Sequence, residues 1–211
     1  MRVPCSWPVA QSRSGALSDA EPAREFGLGR GRIYPATEAR SLVHPARRLV
    51  QPPRRAVARL GLGPNARVLE LGCGPGYFSP ELARLVRSGR LVVFDLQPGM
   101  LALARARVGS TPHVAPVAGD AAALPFAAAS FDGALIGHVL GEVPDRAACV
   151  AEVARVVCPG GSVVVVESRR DSDFVDLAEL RRLFEGRGFA LLDRRGIAWE
   201  YTARFRRGPE T

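Results

Sequence analysis

At 211 residues, 47% apolar and 24% charged, the chain can hold one α/β domain with its own core plus an extension of roughly 40–60 residues. All 29 basic residues are arginine, as a GC-rich coding bias would produce, so Schiff-base chemistry on lysine and a P-loop lysine are excluded. The charge is lopsided: residues 1–60 carry 11 arginines against 4 acids, net +7, and residues 61–211 carry 18 against 17. A basic arm can mark nucleic acid, but this one lacks interleaved aromatics for base stacking, and a solvated face or lid is the favoured reading. No stretch approaches the ~20 apolar residues of a membrane span. Pro4 and Pro8 stand where a secretory signal needs an apolar run, so the cytoplasm is the expected compartment. Four cysteines (Cys5, Cys73, Cys149, Cys158) and three histidines (His44, His113, His138) show no paired ligand spacing, so neither a metal nor a disulfide framework is expected.

Residues 1–30 are rich in Ser, Pro, Ala, Gly and Arg without periodicity and read as a disordered basic arm. Residues 31–60 read as a helical cap: apolar positions from Leu42 to Leu60, broken by Pro45 and by Pro52-Pro53, predict two short helices, the second running to Gly61. Gly63-Pro64-Asn65 turns the chain into a buried strand, Val68-Leu69-Glu70-Leu71, which runs into Gly72-Cys73-Gly74-Pro75-Gly76. Phe78, Leu82, Leu85 and Val86 recur at helical spacing, and Pro80 requires that it lie in that helix's first turn. Leu91–Phe94 is a second strand ending at Asp95, which is expected at a solvent-reachable edge. Pro98 opens a helix, and Val114–Val117 is a weaker strand leading to Gly119-Asp120. Phe131–Gly137 is a fourth strand, followed by His138. Pro144-Asp145 opens a helix closed by Pro159-Gly160-Gly161, and Ser162–Glu167 is a valine-rich strand. A helix at Leu177–Phe184 and strands at Gly188–Leu192 and Trp199–Phe205 complete the chain; the short connection from Ser168 to Asp176 leaves no inserted lid.

Strands alternating with helices mean a parallel, doubly wound sheet with helices on both faces and a ligand site at the strands' carboxyl ends. Gly72, Asp95, Asp120 and His138 all fall just after strands. An acid at Asp95 suits ribose hydroxyls, which keeps a dinucleotide in play. Against it, the glycines are spaced G-x-G-x-G rather than G-x-G-x-x-G, and Glu70 is a poor neighbour for a pyrophosphate. An acid there suits an ammonium group, with the helix N-terminus taking a carboxylate. A nucleoside joined to an amino acid has both. Taken singly, Asp95 also fits a helix cap, Asp120 a turn, His138 a residue bonded to backbone, and Glu142 a solvated acid.

At these residues the chain resembles the class I S-adenosylmethionine-dependent methyltransferases. Glu70–Gly76 is similar to their first motif, which wraps the methionine part; Asp95–Leu101 resembles the second, whose acid holds the ribose. Gly119–Phe126 resembles the third, with Asp120 on the adenine amine and the next backbone N–H, Ala121, on the ring. Phe131-Asp132 and His138–Asp145 resemble the fourth strand and the block after it. Cys158-Pro159-Gly160-Gly161 resembles the turn into strand five, with cysteine for the usual lysine. The resemblance covers residues 61–211 and is strongest to small-molecule methylases grouped with ubiquinone and menaquinone biosynthesis.

That resemblance implies a Rossmann-like seven-stranded sheet whose last strand is antiparallel, and S-adenosylmethionine as cofactor. It implies cofactor contacts at Glu70, Gly72, Cys73, Gly74, Gly76, Asp95, Leu96, Asp120, Ala121 and Gly137. The acceptor is expected to be a small or lipophilic molecule; an RNA or protein acceptor, or a non-catalytic cofactor-binding partner module, is the alternative. Methyl transfer needs mainly positioning. A hydroxyl acceptor would need a base, for which His138 and Glu142 are the candidates.

Overall fold

Apolar runs with no polar face form strands only where both faces are covered, and four such runs lie side by side here. The structure, a computed structural model, describes residues 35, 39–43, 47, 51–169, 171, 173–197 and 200–209. The arm expected over 1–30 lies outside the described residues, as does much of the cap expected over 31–60. The strands are β1 (Arg67–Leu71), β2 (Arg90–Asp95), β3 (Val114–Ala118), β4 (Phe131–Gly137), β5 (Val157–Ser168), β6 (Phe189–Ile197) and β7 (Glu200–Arg207). They form one sheet in the order β3-β2-β1-β4-β5-β7-β6. The first five are parallel, and β7 runs antiparallel to both its neighbours. This is the expected Rossmann-like sheet with its antiparallel last strand.

The helices are α1 (Ala39–Leu42), α2 (Pro53–Ala58), α3 (Ser79–Leu85), α4 (Pro98–Val108), α5 (Arg146–Val156) and α6 (Leu177–Glu185). Prolines occupy the first turns of α2, α3 and α4, where a missing N–H leaves no hydrogen bond unmade. Asp145 and Asp176 cap α5 and α6, accepting from the N–H groups of Ala148 and Glu179 at 2.8 Å each. Alternation along β1 splits the core in two. Leu69 and Leu71 face one layer, with Val150 and Val153 of α5 and Leu180 and Phe184 of α6. Val68 faces the other, with Ala56 and Val57 of α2, Leu82 of α3 and Ala104 of α4.

Two boundaries differ from expectation. The helix expected to close at Pro159-Gly160-Gly161 ends at Val156, and Val157 already pairs with Phe131. The next matched pair is Gly133 with Ser162, so the Cys-Pro-Gly-Gly stretch is an excursion within β5 that Gly160 enters at φ 75°. The strand expected to stop at Leu192 continues to Ile197, although most of its residues after Phe189 are exposed. Backbone pairing with β7 carries it on, through Arg194–Ala203 to Ile197–Glu200, where the apolar pattern gives no signal.

Phe184 of α6 stacks on Phe205 of β7 at 4.6 Å and meets Phe189 edge-on at 5.4 Å, with no exposed surface. Phe184→Ala empties this contact and should lower unfolding stability by about 3–5 kcal/mol, as read from urea melts.

Candidate active site

The loop after β1 is shaped by three left-handed glycines. Gly72, Gly74 and Gly76 have φ of 66°, 50° and 83°, which L side chains rarely adopt. A Cβ at Gly72 would run into Val139, and one at Gly76 would come within 2.8 Å of Ala104 Cα. Gly74 differs, since a Cβ there would meet nothing within 4 Å. Its freedom leaves open space over the loop, as a ligand approaching the backbone requires. The N–H of Cys73 donates to Phe94 O at 2.9 Å, holding the loop against the end of β2. The Cys73 thiol turns into the core beneath, and burial pushes its pKa up, so this side chain packs and is not a nucleophile.

Asp95, expected at a solvent-reachable edge, is only 8% exposed. Its Oδ2 accepts from the N–H of Gly74 at 2.8 Å and its Oδ1 from the N–H of Gln97 at 2.9 Å. Burial raises its pKa, and these backbone donors, with the N–H of Leu96, pull it back. Asp95 is thus a clasp between the glycine loop and the start of α4 as well as a candidate ligand. The N–H of Gly119 donates to Asp95 O at 3.1 Å and brings the end of β3 alongside. Asp120 folds the next turn, its Oδ1 accepting from the N–H of Ala122 at 2.9 Å, with Leu96, Ala121 and Asp120 itself half-buried.

Glu70 is the unusual group. It is 1% exposed, and neither carboxyl oxygen has a hydrogen-bond partner among the described residues. Burial drives its pKa from 4.5 to about 8, with Asp95 adding to the rise. The Ser79 hydroxyl lies near enough to temper the shift, but is not placed to close a hydrogen bond. A buried acid with two unmet acceptors, beside a cradle open at Gly74, fits a cationic group arriving from that side.

On the other half of the edge, β4 ends in Gly137 and His138. A Cβ at Gly137 would strike the Phe78 ring at 2.5 Å, so close packing demands glycine there. His138 turns left-handed, φ 60°, while its N–H still donates to Val166 O at 2.9 Å. Its ring lies between two side chains that the sequence did not mark. Nδ1 is 2.7 Å from Asp171 Oδ2, and Nε2 is 3.0 Å from Gln51 Oε1. Burial lowers the imidazole pKa; the Asp171 hydrogen bond raises it, and the Arg47 charge lowers it. Gln51 in turn accepts from Arg47 Nε–H at 3.1 Å, and its backbone carbonyl accepts from the Tyr77 hydroxyl at 2.6 Å. Arg47 lies over the Tyr77 ring, 4.2 Å from its centroid. Glu142 is half-buried on the turn that follows, its N–H donating to Val139 O at 2.9 Å, and is not among the ring's partners. Among the described residues, no group of three or more His, Cys, Asp or Glu could hold a metal ion.

Residues 69–165, which contain the loop, Asp95, Asp120 and His138, match the family model described as a methyltransferase domain. Over these residues the chain is similar to that methyltransferase domain, and its sheet has the class I methyltransferase fold. It is 43% identical over 114 residues to a demethylmenaquinone methyltransferase of Mycobacterium sp. (strain KMS), covering 54% of this chain and 46% of that one. To the 2-phytyl-1,4-naphtoquinone methyltransferase of Thermosynechococcus vestitus it is 39% identical over 113 residues, 53% of this chain and 50% of the other. The chain thus spans about half the length of these curated relatives. The fold of a SAM-dependent methyltransferase from Aquifex aeolicus superposes with a TM-score of 0.76 at 17% identity, covering 82% of this chain and 99% of that one. The N-methyltransferase NodS from Bradyrhizobium japonicum, in complex with S-adenosyl-L-homocysteine, gives 0.64 at 25% identity, over 74% of this chain and 86% of that one.

Two outcomes test the candidate site without any ligand. Glu70 binds a proton in the folded state across the window from its ordinary 4.5 up to about 8, where the unfolded chain has lost it. Stability therefore falls as pH rises through that window, by up to about 1.4 kcal/mol per pH unit for this one group. Glu70→Gln cannot titrate and should remove that share of the slope in urea melts at successive pH values. Asp95→Ala frees two buried N–H groups and should destabilise the fold by roughly 1.5–3 kcal/mol.

Proposed function

We propose that this methyltransferase domain binds S-adenosylmethionine and moves its sulfonium methyl to a small lipophilic acceptor of quinone type. The observation that carries the cofactor is the Glu70 carboxyl, buried with both oxygens unmet beside the opening at Gly74. The ammonium of an amino acid would supply the donors that both oxygens lack. Glu70 gives up its proton as that cation arrives. Asp95 offers the lone pairs left beside its two backbone bonds to ribose hydroxyls. Asp120 and the N–H of Ala121 stand at the next strand end for the adenine edge. Gly72, Gly76 and Gly137 let backbone approach closely, while Cys73 and Leu96 shape the walls.

When bound, the cofactor supplies an electrophilic methyl on a positively charged sulfur. The protein's own part is to hold donor and acceptor in line and to keep water out, which can supply most of the acceleration. Arg47 and Gln51, from the segment before α2, reach over the carboxyl edge to Tyr77 and His138 and close that side. The quinone-type acceptor is supported by the curated relatives, whose names specify demethylmenaquinone and a phytyl naphthoquinone. The same reading keeps the protein in the cytoplasm, in line with Cys73, Cys149 and Cys158 forming no disulfide among the described residues. Among the described residues, no helix is long and apolar enough to cross a membrane.

S-adenosylmethionine and S-adenosylhomocysteine should raise the melting temperature, and NAD should leave it unchanged. Calorimetry at pH 7 in buffers of different ionisation enthalpy should show about one proton released on binding, absent in Glu70→Gln. Asp95→Ala should weaken binding by one to two decades. Stabilisation by NAD in preference to the methyl donor would overturn the cofactor. Methyl label from S-adenosylmethionine, traced through a cell extract, should enter the lipid or small-molecule pool, and label confined to RNA would overturn the acceptor.

A further inference from the structure

We propose that the β6–β7 hairpin and the neighbouring end of α2 form a docking surface for an anionic lipid bilayer, on which Arg59, Arg195 and Arg204 receive lipid phosphates. This rests on the reading above that the acceptor is lipophilic, and it says where the protein meets that acceptor.

Charge is the first observation. Residues 53–59 and 189–207 carry eight arginines against two acids, Asp193 and Glu200, whereas residues 61–188 carry 13 against 14. The fold joins these two basic stretches, which lie far apart in the sequence: Arg59, the C-cap of α2, pairs with Asp193 of β6. Burial lowers the pKa of Arg59, and the charges of Arg195 and Arg204 lower it further. Arg59 and Arg204 each bury an Nε–H that has no hydrogen-bond partner among the described residues. Like charges held together with donors unmet favour an anion that bridges them, and guanidinium forks match phosphate oxygens.

The second observation is an uncovered sheet face. Tyr201, Ala203 and Phe205 of β7 belong to the layer under α5 and α6, so by alternation Arg204 and Arg206 face the other way. Pairing of Arg195 with Thr202 and of Ile197 with Glu200 puts both β6 residues on that same side. No residue of β6 or β7 belongs to the apolar layer under α2, α3 and α4. Leu192, the extra residue at the irregular step after Leu191, and Ile197 are 46% and 51% exposed. Apolar side chains set among arginines suit an interface in which the first enter the acyl boundary and the second hold headgroups. A nucleic acid would want stacking aromatics, and this face shows none among the described residues. A second copy would bring its own arginines against these.

Position is the third observation. Glu200 pairs both with Ser168, the last residue of β5, and with Ile197, so the hairpin closes at the carboxyl edge that holds Gly137 and His138. A protein seated on lipid through this side brings the candidate site to the phase in which a lipophilic acceptor dissolves.

The full chain is mixed with vesicles of phosphatidylcholine, alone or with about one-third phosphatidylglycerol, and bound protein is read by flotation. It should bind the anionic vesicles only, and less as salt rises. Arg195→Gln with Arg206→Gln should weaken binding about 25-fold, at about fivefold per arginine. Arg105→Gln with Arg107→Gln makes the same charge change on α4, which packs on β2 and β3 at the other end of the sheet, and should leave binding unchanged. Ile197→Ser should weaken binding without altering its salt dependence. All these variants should bind S-adenosylhomocysteine as the wild type does. Methyl transfer to a prenylated naphthoquinol dissolved in anionic vesicles should fall with binding, and transfer to a tail-less naphthoquinol in water should not. The surface is overturned by absence of binding to anionic vesicles, by equal losses in the two double variants, or by displacement with inorganic phosphate at constant ionic strength. Single-stranded RNA that displaces the vesicles overturns it in favour of a nucleic-acid contact. Vesicle binding by a wild type that takes no S-adenosylhomocysteine overturns the cofactor reading and leaves the surface standing.

Discussion

A carboxyl group buried without a partner is among the most unfavourable things a fold can contain, and this one places Glu70 near the end of β1 with neither oxygen bonded among the described residues. The sheet tolerates it because the acid keeps its proton up to about pH 8. Everything around it is arranged so that no water arrives to relieve it. β1 lies between β2 and β4, both faces are covered, and the glycine loop folds back over the strand end. The charge that would relieve Glu70 has to come with a ligand, from the side that Gly74 leaves open. On the proposed reading a lone acid ionises only as a cation arrives.

The two halves of the carboxyl edge are built from different bonds. On the β1-β2-β3 side, carboxylates hold backbone: Asp95 clasps Gly74 and Gln97, and Asp120 folds Ala122 back on itself. Charge-assisted bonds to main-chain N–H groups are short and rigid, and they set loops in one geometry. On the β4-β5 side the bonds run between side chains, His138 to Asp171 and to Gln51. Side-chain amides and imidazoles can turn over or change tautomer, so this half can exchange partners without moving the sheet. Fixed bonds on one half and exchangeable bonds on the other suit the proposed reading, in which one donor meets an acceptor that must come and go.

The residues proposed for the cofactor half can be picked out in the sequence because their signals are local. Three glycines at alternate positions, an acid at the end of the next strand and another after the third are each readable from a few consecutive residues. Burial of Asp95 was not readable, because it depends on the loop from β1 folding onto β2, and no single segment records that. On the β4-β5 side the sequence marked His138 but neither of its ring's partners. Its partners lie 87 and 33 residues away, Gln51 before a proline pair and Asp171 in a connection with several acids, and neither position has a pattern of its own. The β6 boundary was missed for a related reason. From Asp193 onward the strand is held by pairing with β7 and not by an apolar face, so periodicity is silent there.

The two halves meet at one side chain. Tyr77 immediately follows Gly76, so the turn that shapes the cofactor cradle also sets the direction of its ring. Its hydroxyl bonds Gln51 O, and the Arg47 guanidinium that bonds Gln51 Oε1 lies over its ring. Gln51 is therefore anchored through its backbone to the cofactor loop while its amide faces His138. A displacement of the glycine loop would pass through Tyr77 to Gln51 along a contiguous path of two hydrogen bonds and a stacked cation, with no need for the sheet to deform.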